Sequence, residues 1–312
     1  MALEKKDLRI IFMGTPEFAV ASLSAILDAG YHVVAVITAP DKPAGRGMQL
    51  SETAVKKFAL SKNIPVLQPV KLKDPDFLND LRSLRADLQI VVAFRMLPEV
   101  VWSMPPMGTI NLHGSLLPQY RGAAPINWAL MNGEKETGVT TFKLQHAIDT
   151  GNILLQETIP LQPDTTAGEL HDVMKEVGAL LLVKTIDGLI AGTIQDKPQK
   201  TEQPDGLKSA AKIHASDCKI DFNRSAAEVH NQVRALSPVP GAFTHLNGKT
   251  FKIFKIQMDS SSPAHAPGSL FTDGKSFLKF ACSDGYISCE EVQMEGKKRM
   301  DIATFLRGYR FS

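Results

Sequence analysis

Residues 8 to 38, LRIIFMGTPEFAVASLSAILDAGYHVVAVIT, decide the fold of the first half of the chain. LRIIFM is apolar enough for a buried strand that ends at Gly14, and Pro16 with Glu17 suits the first turn of a helix. Apolar residues then recur at helical spacing as far as Gly30, and YHVVAVIT predicts a second strand. This succession of strand, helix and strand is typical of a parallel sheet.

The same alternation continues beyond residue 38. Further strands are predicted at 64–67, 88–94, 108–112, 138–144 and 152–161, and helices at 51–60, 75–85, 98–103, 124–133 and 166–190. Residues 38–50 are predicted to form a long loop, with Ser51 and Glu52 beginning the next helix. We therefore predict an α/β fold with a Rossmann-like parallel sheet covered by helices on both faces.

The composition changes at residues 193–212, which are polar, contain two prolines and lack periodicity. Beyond them a helix is predicted at 225–236, followed by short strands with hairpin signals at Asn247-Gly248, Asp273-Gly274 and Asp284-Gly285. This pattern favours a small OB-like β-barrel of the kind that binds oligonucleotides. The predicted domains are 1–194 and 212–312, joined by a linker at 195–211.

Composition and motifs exclude several classes of protein. The three cysteines have no CxxC or Cys/His metal-ligand spacing, which predicts neither a disulfide framework nor a metal site. No window approaches 18 apolar residues and the start lacks a signal-peptide pattern, so we expect a cytoplasmic protein with no membrane partner. MGTPEF is not GxGxxG, and no acidic residue ends the second strand, which disfavours NAD as a cofactor.

Residues 111 to 122, NLHGSLLPQYRG, begin in the last two residues of the predicted strand at 108–112 and contain an amide and an imidazole two residues apart. In an extended chain Asn111 and His113 point to the same face, so both side chains can address one substrate atom. Gly114, Pro118 and Gly122 break regular structure, which places the pair where a strand runs into a loop. Open α/β sheets bind ligands at this position. A structural loop with a hydrogen-bonded histidine is the alternative reading of this stretch.

The sequence resembles the methionyl-tRNA formyltransferases, within the wider family of folate-dependent formyltransferases. The resemblance runs nearly end to end, through GTPEF, APDKPAGRG, INLHGSLLPQYRGAAPINWAL, ETGVT, DTGNIL and IDFNRSAAEVHNQVRALSPVPGAF. It implies transfer of a formyl group from 10-formyltetrahydrofolate to the α-amino group of methionine on initiator tRNA, in a first domain that is catalytic and a second that binds tRNA. It also implies that the enzyme is bacterial and monomeric.

The resemblance implies catalytic roles for Asn111, His113 and Asp149. Attack by an amine puts negative charge on the formyl oxygen, which an amide N–H and an imidazole N–H can stabilise. Asp149 can orient or charge His113, or accept the proton of the amine, and the sequence does not choose between these roles. As a plain turn residue, Asp149 would instead bind its own backbone. Ser115 is expected to support the loop, Arg121 either to hold it or to meet the folate, and His146 is the histidine most easily mistaken for His113.

By the same resemblance, two segments are expected to bind folate: Phe94, Arg95, Met96 and Leu97, and Ser115, Leu116, Leu117 and Pro118. Phe94-Arg95 departs from the Tyr-Gly that is frequent in the family, which leaves the side-chain contacts of this segment open. Phe18 is the candidate for lining the methionine pocket, with a core position as the alternative.

The expected tRNA contacts are Lys42 and Arg46 in the loop 38–50 and Lys297, Lys298 and Arg299 near the C-terminus. The net charge is only +2, so any basic surface is local. A surface loop and a solvated tail or helix face are the structural alternatives for these residues.

Three other functions remain open from the sequence. A formyltransferase that acts on an amino sugar nucleotide shares HGSLLP and YRG but is expected to lack the PAGRG loop. A formyltetrahydrofolate hydrolase shares the catalytic trio but is expected to carry a different extra domain at its start. A non-catalytic RNA-binding protein could keep the fold, although the complete trio argues against it.

Overall fold

A computed structural model of the chain describes residues 4–44, 49–200 and 206–311. These residues form two compact units. The first contains the described residues up to Arg121 together with Thr137–Ile159 and His171–Lys208, and the second contains Gly122–Glu136, Pro160–Leu170 and the described residues from Ser209 onwards. Two segments before residue 194 thus belong to the second unit, and the continuous domain boundaries stated above stay a prediction.

The elements up to residue 190 follow the predicted alternation, apart from three short strands at 42–44, 49–51 and 121–122 that were not predicted. The strands are β1 (Arg9–Gly14), β2 (His32–Ile37), β3 (Lys42–Ala44), β4 (Gln49–Ser51), β5 (Val66–Leu67), β6 (Leu88–Val92), β7 (Thr109–His113), β8 (Arg121–Gly122), β9 (Glu136–Lys143) and β10 (Ile153–Pro160). The helices are α1 (Glu17–Asp28), α2 (Ala54–Ser61), α3 (Pro75–Ser83), α4 (Glu99–Trp102), α5 (Pro125–Met131) and α6 (Ala167–Ile190). Within the described residues, no helix has both the length and the apolar character that crossing a bilayer requires.

The first unit contains a sheet in the order β10-β9-β7-β6-β1-β2-β5. The strands from β7 to β5 are parallel, which confirms the predicted Rossmann-like core. β9 runs antiparallel to β7, so the sheet is mixed, which the apolar pattern of a strand does not reveal. The chain proceeds from β1 towards β2 on one side and returns to β6 on the other. A ligand crevice is expected at the carboxyl ends of strands around such a reversal.

Glycine is required where β1 passes into α1. A Cβ on Gly14 would lie 2.7 Å from the Cβ of Ala19 and 3.1 Å from the carbonyl oxygen of Val92 on β6. Only glycine therefore allows the first turn of α1 to approach the sheet this closely.

The segment 38–50 differs from the predicted long loop. Lys42 pairs with Ser51 and Pro43 with Leu50 in the short antiparallel ladder of β3 and β4. The following helix does not begin at Ser51 and Glu52, because Ser51 ends β4. Thr53 is the N-cap of α2 and its hydroxyl accepts the N–H of Lys56.

The second unit is built on an antiparallel sheet. Its strands are β11 (Ser209–Ala210), β12 (Ala242–Leu246), β13 (Lys249–Asp259), β14 (Leu270–Thr272), β15 (Leu278–Ala281), β16 (Tyr286–Met294) and β17 (Met300–Asp301), and its helices, apart from α5, are α7 (Ala215–Cys218), α8 (Ala226–Leu236) and α9 (Ile302–Gly308). The sheet order is β12-β13-β16-β15-β14, with β17 beside β16. Register shifts in β13 bend the sheet, so the predicted OB-like barrel takes the form of a curled sheet.

The three predicted hairpin turns lie between β12 and β13, β14 and β15, and β15 and β16. Asn247 and Gly248 both have positive φ, 49° and 74°, as a two-residue turn between twisted strands requires. α8 begins with a capping box between Ser225 and Glu228, and it buries Val229, among others, in the core of this unit.

Candidate active site

Asn111 and His113 lie on β7, inside the sheet. Asn111 is opposite Val91 of β6, and His113 is opposite Thr140 of β9. Both residues therefore lie on one strand two positions apart, the spacing from which their side-by-side arrangement is predicted. Asn111 is half-buried and His113 is only 7% exposed, so the imidazole is largely shielded from water while the amide is partly accessible.

The two ring nitrogens of His113 have different neighbours. Nε2 lies 2.9 Å from the carbonyl oxygen of Tyr120. A carbonyl only accepts hydrogen bonds, so Nε2 carries a hydrogen and donates it. Nδ1 lies 3.8 Å from Oδ2 of Asp149, which is within ion-pair range but longer than a hydrogen bond. The edge of the ring that carries Nδ1 is therefore the one left for substrate chemistry.

Asp149 stands in the loop between β9 and β10. Its φ is 53°, in the left-handed region that aspartate adopts more readily than most residues. The loop also needs Gly151, because a Cβ there would lie 1.6 Å from the carbonyl oxygen of Lys143. The Asp149 carboxylate lies 3.8 Å from Nδ1 of His113, a residue 36 positions earlier. Asp149 therefore has a side-chain neighbour outside its own turn.

Gln199, a residue that the sequence analysis did not single out, holds the Asp149 loop. Its Nε2 donates to the carbonyl oxygens of Asp149 and Gly151, both at 2.8 Å. Its Oε1 accepts from Nε and Nη2 of Arg121, at 3.1 and 2.6 Å. Arg121 thus supports the Asp149 loop through Gln199, whereas its two predicted roles, holding the loop after β7 or meeting the folate, stay predictions.

The loop after β7 is fixed by hydrogen bonds to β9. The Ser115 hydroxyl donates to the carbonyl oxygen of Gln119, and the Ser115 carbonyl accepts from Thr140. Thr140 also accepts the N–H of Leu117. Ser115 and Leu117 are buried, whereas Leu116 and Pro118 are half-buried. The loop is therefore held by hydrogen bonds to β9 on the side that faces the sheet.

The segment 94–97 follows β6 at the same edge of the sheet. Arg95 donates to the carbonyl oxygens of Val70, at 2.8 Å, and Pro69, so its guanidinium fastens the segment to a neighbouring loop. Phe94 packs against the core and Leu97 is buried within it. Met96 is 72% exposed and is the side chain of this segment that is most open to a ligand.

The remaining predicted site residues lie in less enclosed places. Phe18 is half-buried near the start of α1, with its ring edge-on to that of His171 at 5.2 Å between centroids. Lys42 is exposed on β3, and Arg46 lies outside the described residues. His146, the histidine most easily mistaken for His113, has its Nε2 3.2 Å from Oε2 of Glu99.

The C-terminal cations are exposed near the turn between β16 and β17. Arg299 is engaged by Glu291 and lies over the ring of Phe254, 4.5 Å from its centroid. Lys297 and Lys298 have no salt bridge within the described residues, so their charges face solvent.

Thiol and metal chemistry find no support in the described part of the chain. The three cysteines are free and buried, and burial raises the pKa of the Cys282 thiol to about 11. No group of three or more histidine, cysteine, aspartate or glutamate side chains among the described residues is placed to hold a metal ion.

Comparison with known proteins matches both halves of the chain. The family model of formyl transferase matches residues 8–186, and that of the formyl transferase C-terminal domain matches residues 212–310. The chain is 51% identical over 311 residues to the methionyl-tRNA formyltransferase of Azobacteroides pseudotrichonymphae, with 96% of this chain and 95% of that protein covered. It is 50% identical over 316 residues to the methionyl-tRNA formyltransferase of Parabacteroides distasonis, covering 99% and 98%.

Among solved structures, the N-formyltransferase from Helicobacter canadensis in complex with folinic acid and dTDP-3-aminofucose has a TM-score of 0.69. The identity is 22%, and the match covers 92% of this chain and 99% of that one. At this identity the likeness shows a shared fold and nothing more.

Proposed function

This chain belongs to the formyl transferase family, and we propose that it transfers the formyl group of 10-formyltetrahydrofolate to the α-amino group of methionine carried on initiator tRNA. The observation that carries the proposal is 51% identity, over nearly the full length of both chains, to a protein named for this reaction. Asn111 and His113 at the carboxyl end of β7, with the Asp149 carboxylate 3.8 Å from Nδ1 of His113, give it a chemical basis.

In the proposed reaction the amine nitrogen attacks the formyl carbon and a C–N bond forms. Negative charge collects on the formyl oxygen, to which the Asn111 amide donates a hydrogen bond. The bond between the formyl carbon and N10 of the folate then breaks. The amine loses one proton and N10 gains one, so atoms and charge balance.

His113 supplies the second donor through Nδ1. Since Nε2 already donates to the Tyr120 carbonyl, the ring can donate from Nδ1 only when both nitrogens carry hydrogen. The ring is then a cation, and Asp149, 3.8 Å from Nδ1, balances its charge. The role that we assign to Asp149 is therefore to orient the His113 ring and to balance its charge. Transfer of the amine proton to its carboxylate, directly or through one water, is the further step that this geometry allows.

The folate co-substrate is proposed to lie against the backbone of residues 94–97 and against the loop 115–118. Arg95 and Leu97 already have protein partners, and so do the hydroxyl of Ser115 and the N–H of Leu117. Backbone groups, together with the open side chains of Met96, Leu116 and Pro118, are therefore the surfaces assigned to the ligand. This assignment tolerates Phe94-Arg95 in place of the more frequent Tyr-Gly.

The tRNA is proposed to contact two separate sets of cations. Lys42 and Arg46 would meet the acceptor end, and Lys297, Lys298 and Arg299 would meet phosphates of the outer acceptor stem. Lys297 and Lys298 are the stronger candidates of the second set, because Glu291 already balances Arg299. Phe18 is proposed to line the pocket for the methionine side chain.

The experiment that tests the function supplies purified protein and 10-formyltetrahydrofolate with three alternatives: methionyl initiator tRNA, a dTDP-linked amino sugar, and no acceptor. We expect formylmethionyl-tRNA to be the main product, with Asn111→Ala as the control of strongly reduced activity. Preferential formylation of the sugar would assign the chain to the amino sugar enzymes, and release of formate without an acceptor would assign it to the hydrolases. Binding of tRNA without formylation of any acceptor and without formate release would identify the chain as a non-catalytic RNA-binding protein.

A further inference from the structure

We propose that Gln199 is a positioning residue, which sets the distance between Asp149 and His113 without touching substrate. The inference rests on the proposed formyl transfer and concerns the same site. Gln199 lies in the polar segment after α6, 50 residues from Asp149 and 78 from Arg121. No sequence motif joins these three residues, and only the fold brings them together.

The orientation of the Gln199 amide is determined by its partners. Arg121 has only donors, and the carbonyl groups of Asp149 and Gly151 only accept. The amide oxygen must therefore face Arg121, and the NH2 group must face the loop. Both N–H donors are used, and the oxygen accepts two hydrogen bonds, so the amide is fully satisfied in one orientation.

Gln199 connects the two halves of the catalytic group. Arg121 immediately follows Tyr120, whose carbonyl oxygen binds Nε2 of His113. Asp149, whose own carbonyl binds Gln199, carries the carboxylate that faces Nδ1. One amide thus joins the chain that orients the imidazole to the loop that presents the carboxylate.

The segment that carries Gln199 is itself anchored. Lys197 and Ile153 exchange two backbone hydrogen bonds of 2.8 Å, which fix this segment beside the start of β10. The left-handed backbone of Asp149 is less favourable than an ordinary turn and needs support from its surroundings. Two hydrogen bonds from a fixed side chain, on either side of Thr150, provide that support.

The test uses two substitutions of Gln199. The first removes the two N–H donors and keeps an oxygen acceptor, and the second removes both. Gln199→Glu retains oxygens for Arg121 but turns a carboxylate oxygen towards two carbonyl oxygens, whereas Gln199→Met removes all the hydrogen bonds at similar size. Gln195→Glu is the matched control, because it makes the same charge change at an exposed position of the same segment. We expect kcat for formylation of methionyl-tRNA to fall by roughly tenfold to a hundredfold in both Gln199 variants, with KM for tRNA within about twofold. The control is expected to be unchanged.

A double-mutant cycle separates positioning from general support of the fold. If Gln199 acts through Asp149, then Gln199→Met lowers kcat in the wild-type background but by less than about twofold in an Asp149→Asn background. An equal loss in both backgrounds overturns the inference, and so does full activity of Asp149→Asn, which would leave nothing to position. The wild-type protein is assayed alongside. Failure of the wild type to formylate tRNA would refute the proposed function, whereas a wild-type enzyme with insensitive Gln199 variants would refute the inference alone.

Discussion

Gly151→Ala is the substitution for which the structure gives the clearest consequence. The added Cβ would lie 1.6 Å from the carbonyl oxygen of Lys143 and 3.2 Å from Cδ2 of Phe142. Backbone contacts of this kind do not close below 3.0 Å, so the loop must withdraw from β9 by about 1.4 Å. Side-chain rearrangement cannot relieve the contact because the nearest atom belongs to the backbone.

This displacement occurs two residues from Asp149 and at one of the two carbonyl groups that Gln199 binds. Misplacing a catalytic group by about 1 Å can lower the rate by roughly a hundredfold. Overpacking also costs roughly 1 to 3 kcal/mol of stability. In a chain of this size such a cost corresponds to a decrease of about 1.5 to 5 °C in melting temperature.

The assay compares steady-state formylation of methionyl initiator tRNA with thermal unfolding of the same preparation. We expect kcat to fall by about a hundredfold while the protein remains folded at 25 °C, with KM for tRNA nearly unchanged. Gly308→Ala is the matched control, since its Cβ meets no atom within 4 Å and its φ is not positive. If Gly151→Ala is folded and retains a kcat within about threefold of wild type, the close approach of loop and strand does not control the site.

Three other outcomes are expected. Asn111→Ala should lower kcat a hundredfold or more, about 3 to 4 kcal/mol of barrier, in the formylation assay, and a change in KM alone would contradict its role as oxyanion donor. Replacing Lys297 and Lys298 with glutamine should lower the slope of log KM for tRNA against log salt by about 1 for each lysine that contacts a phosphate, and an unchanged slope would remove them from the interface. Burial lowers the pKa of His230 below its ordinary value. The negative charge of Asp164 raises this pKa and the positive charge of Arg234 lowers it, but burial has the largest effect. The contribution of His230 to stability is therefore complete above about pH 6.5 and is lost as pH falls towards the folded pKa, by at most about 1.4 kcal/mol per pH unit. Urea unfolding between pH 7 and pH 5 should show this loss in wild type and a smaller one in His230→Gln, and parallel losses would contradict it.

The order of the helices and strands was predictable because the spacing of apolar residues reflects which face of each element is buried. β1, α1 and β2 were found from apolar spacing together with the breaks at Gly14, Pro16 and Gly30, and the three C-terminal hairpins from Asn-Gly and Asp-Gly pairs. The direction of β9 was not predictable, since a buried strand has the same apolar pattern whether it runs parallel or antiparallel. The β3-β4 ladder was missed because its residues include Pro43 and several polar groups, which resemble a loop in composition.

The catalytic group was only partly visible in the sequence. Asn111 and His113 share a strand, so the two-residue repeat of a strand places them together. The approach of Asp149 to His113 depends on the antiparallel return of β9 and β10, and only the family resemblance indicated it beforehand. Gln199 gave no signal, because a glutamine in a polar, aperiodic segment is indistinguishable from a solvated one until its partners are known.

Asn111 and His113 are positioned by a core strand, whereas Asp149 is positioned by a loop. The two parts of the site should therefore respond differently to substitution. The spacing of Asn111 and His113 is set by β7, whose neighbours on both sides are core strands, so substitutions that disturb it also disturb the sheet. The 3.8 Å distance between His113 and Asp149 is set by a loop whose anchors include the Gln199 amide, the close contact at Gly151 and the hydrogen bond from the Lys143 N–H to the Asn152 carbonyl. Removing a loop anchor loses few buried contacts but moves a charge that catalysis requires. Activity and stability should therefore fall together for changes along β7, and activity should fall well ahead of stability for changes at positions 151 and 199.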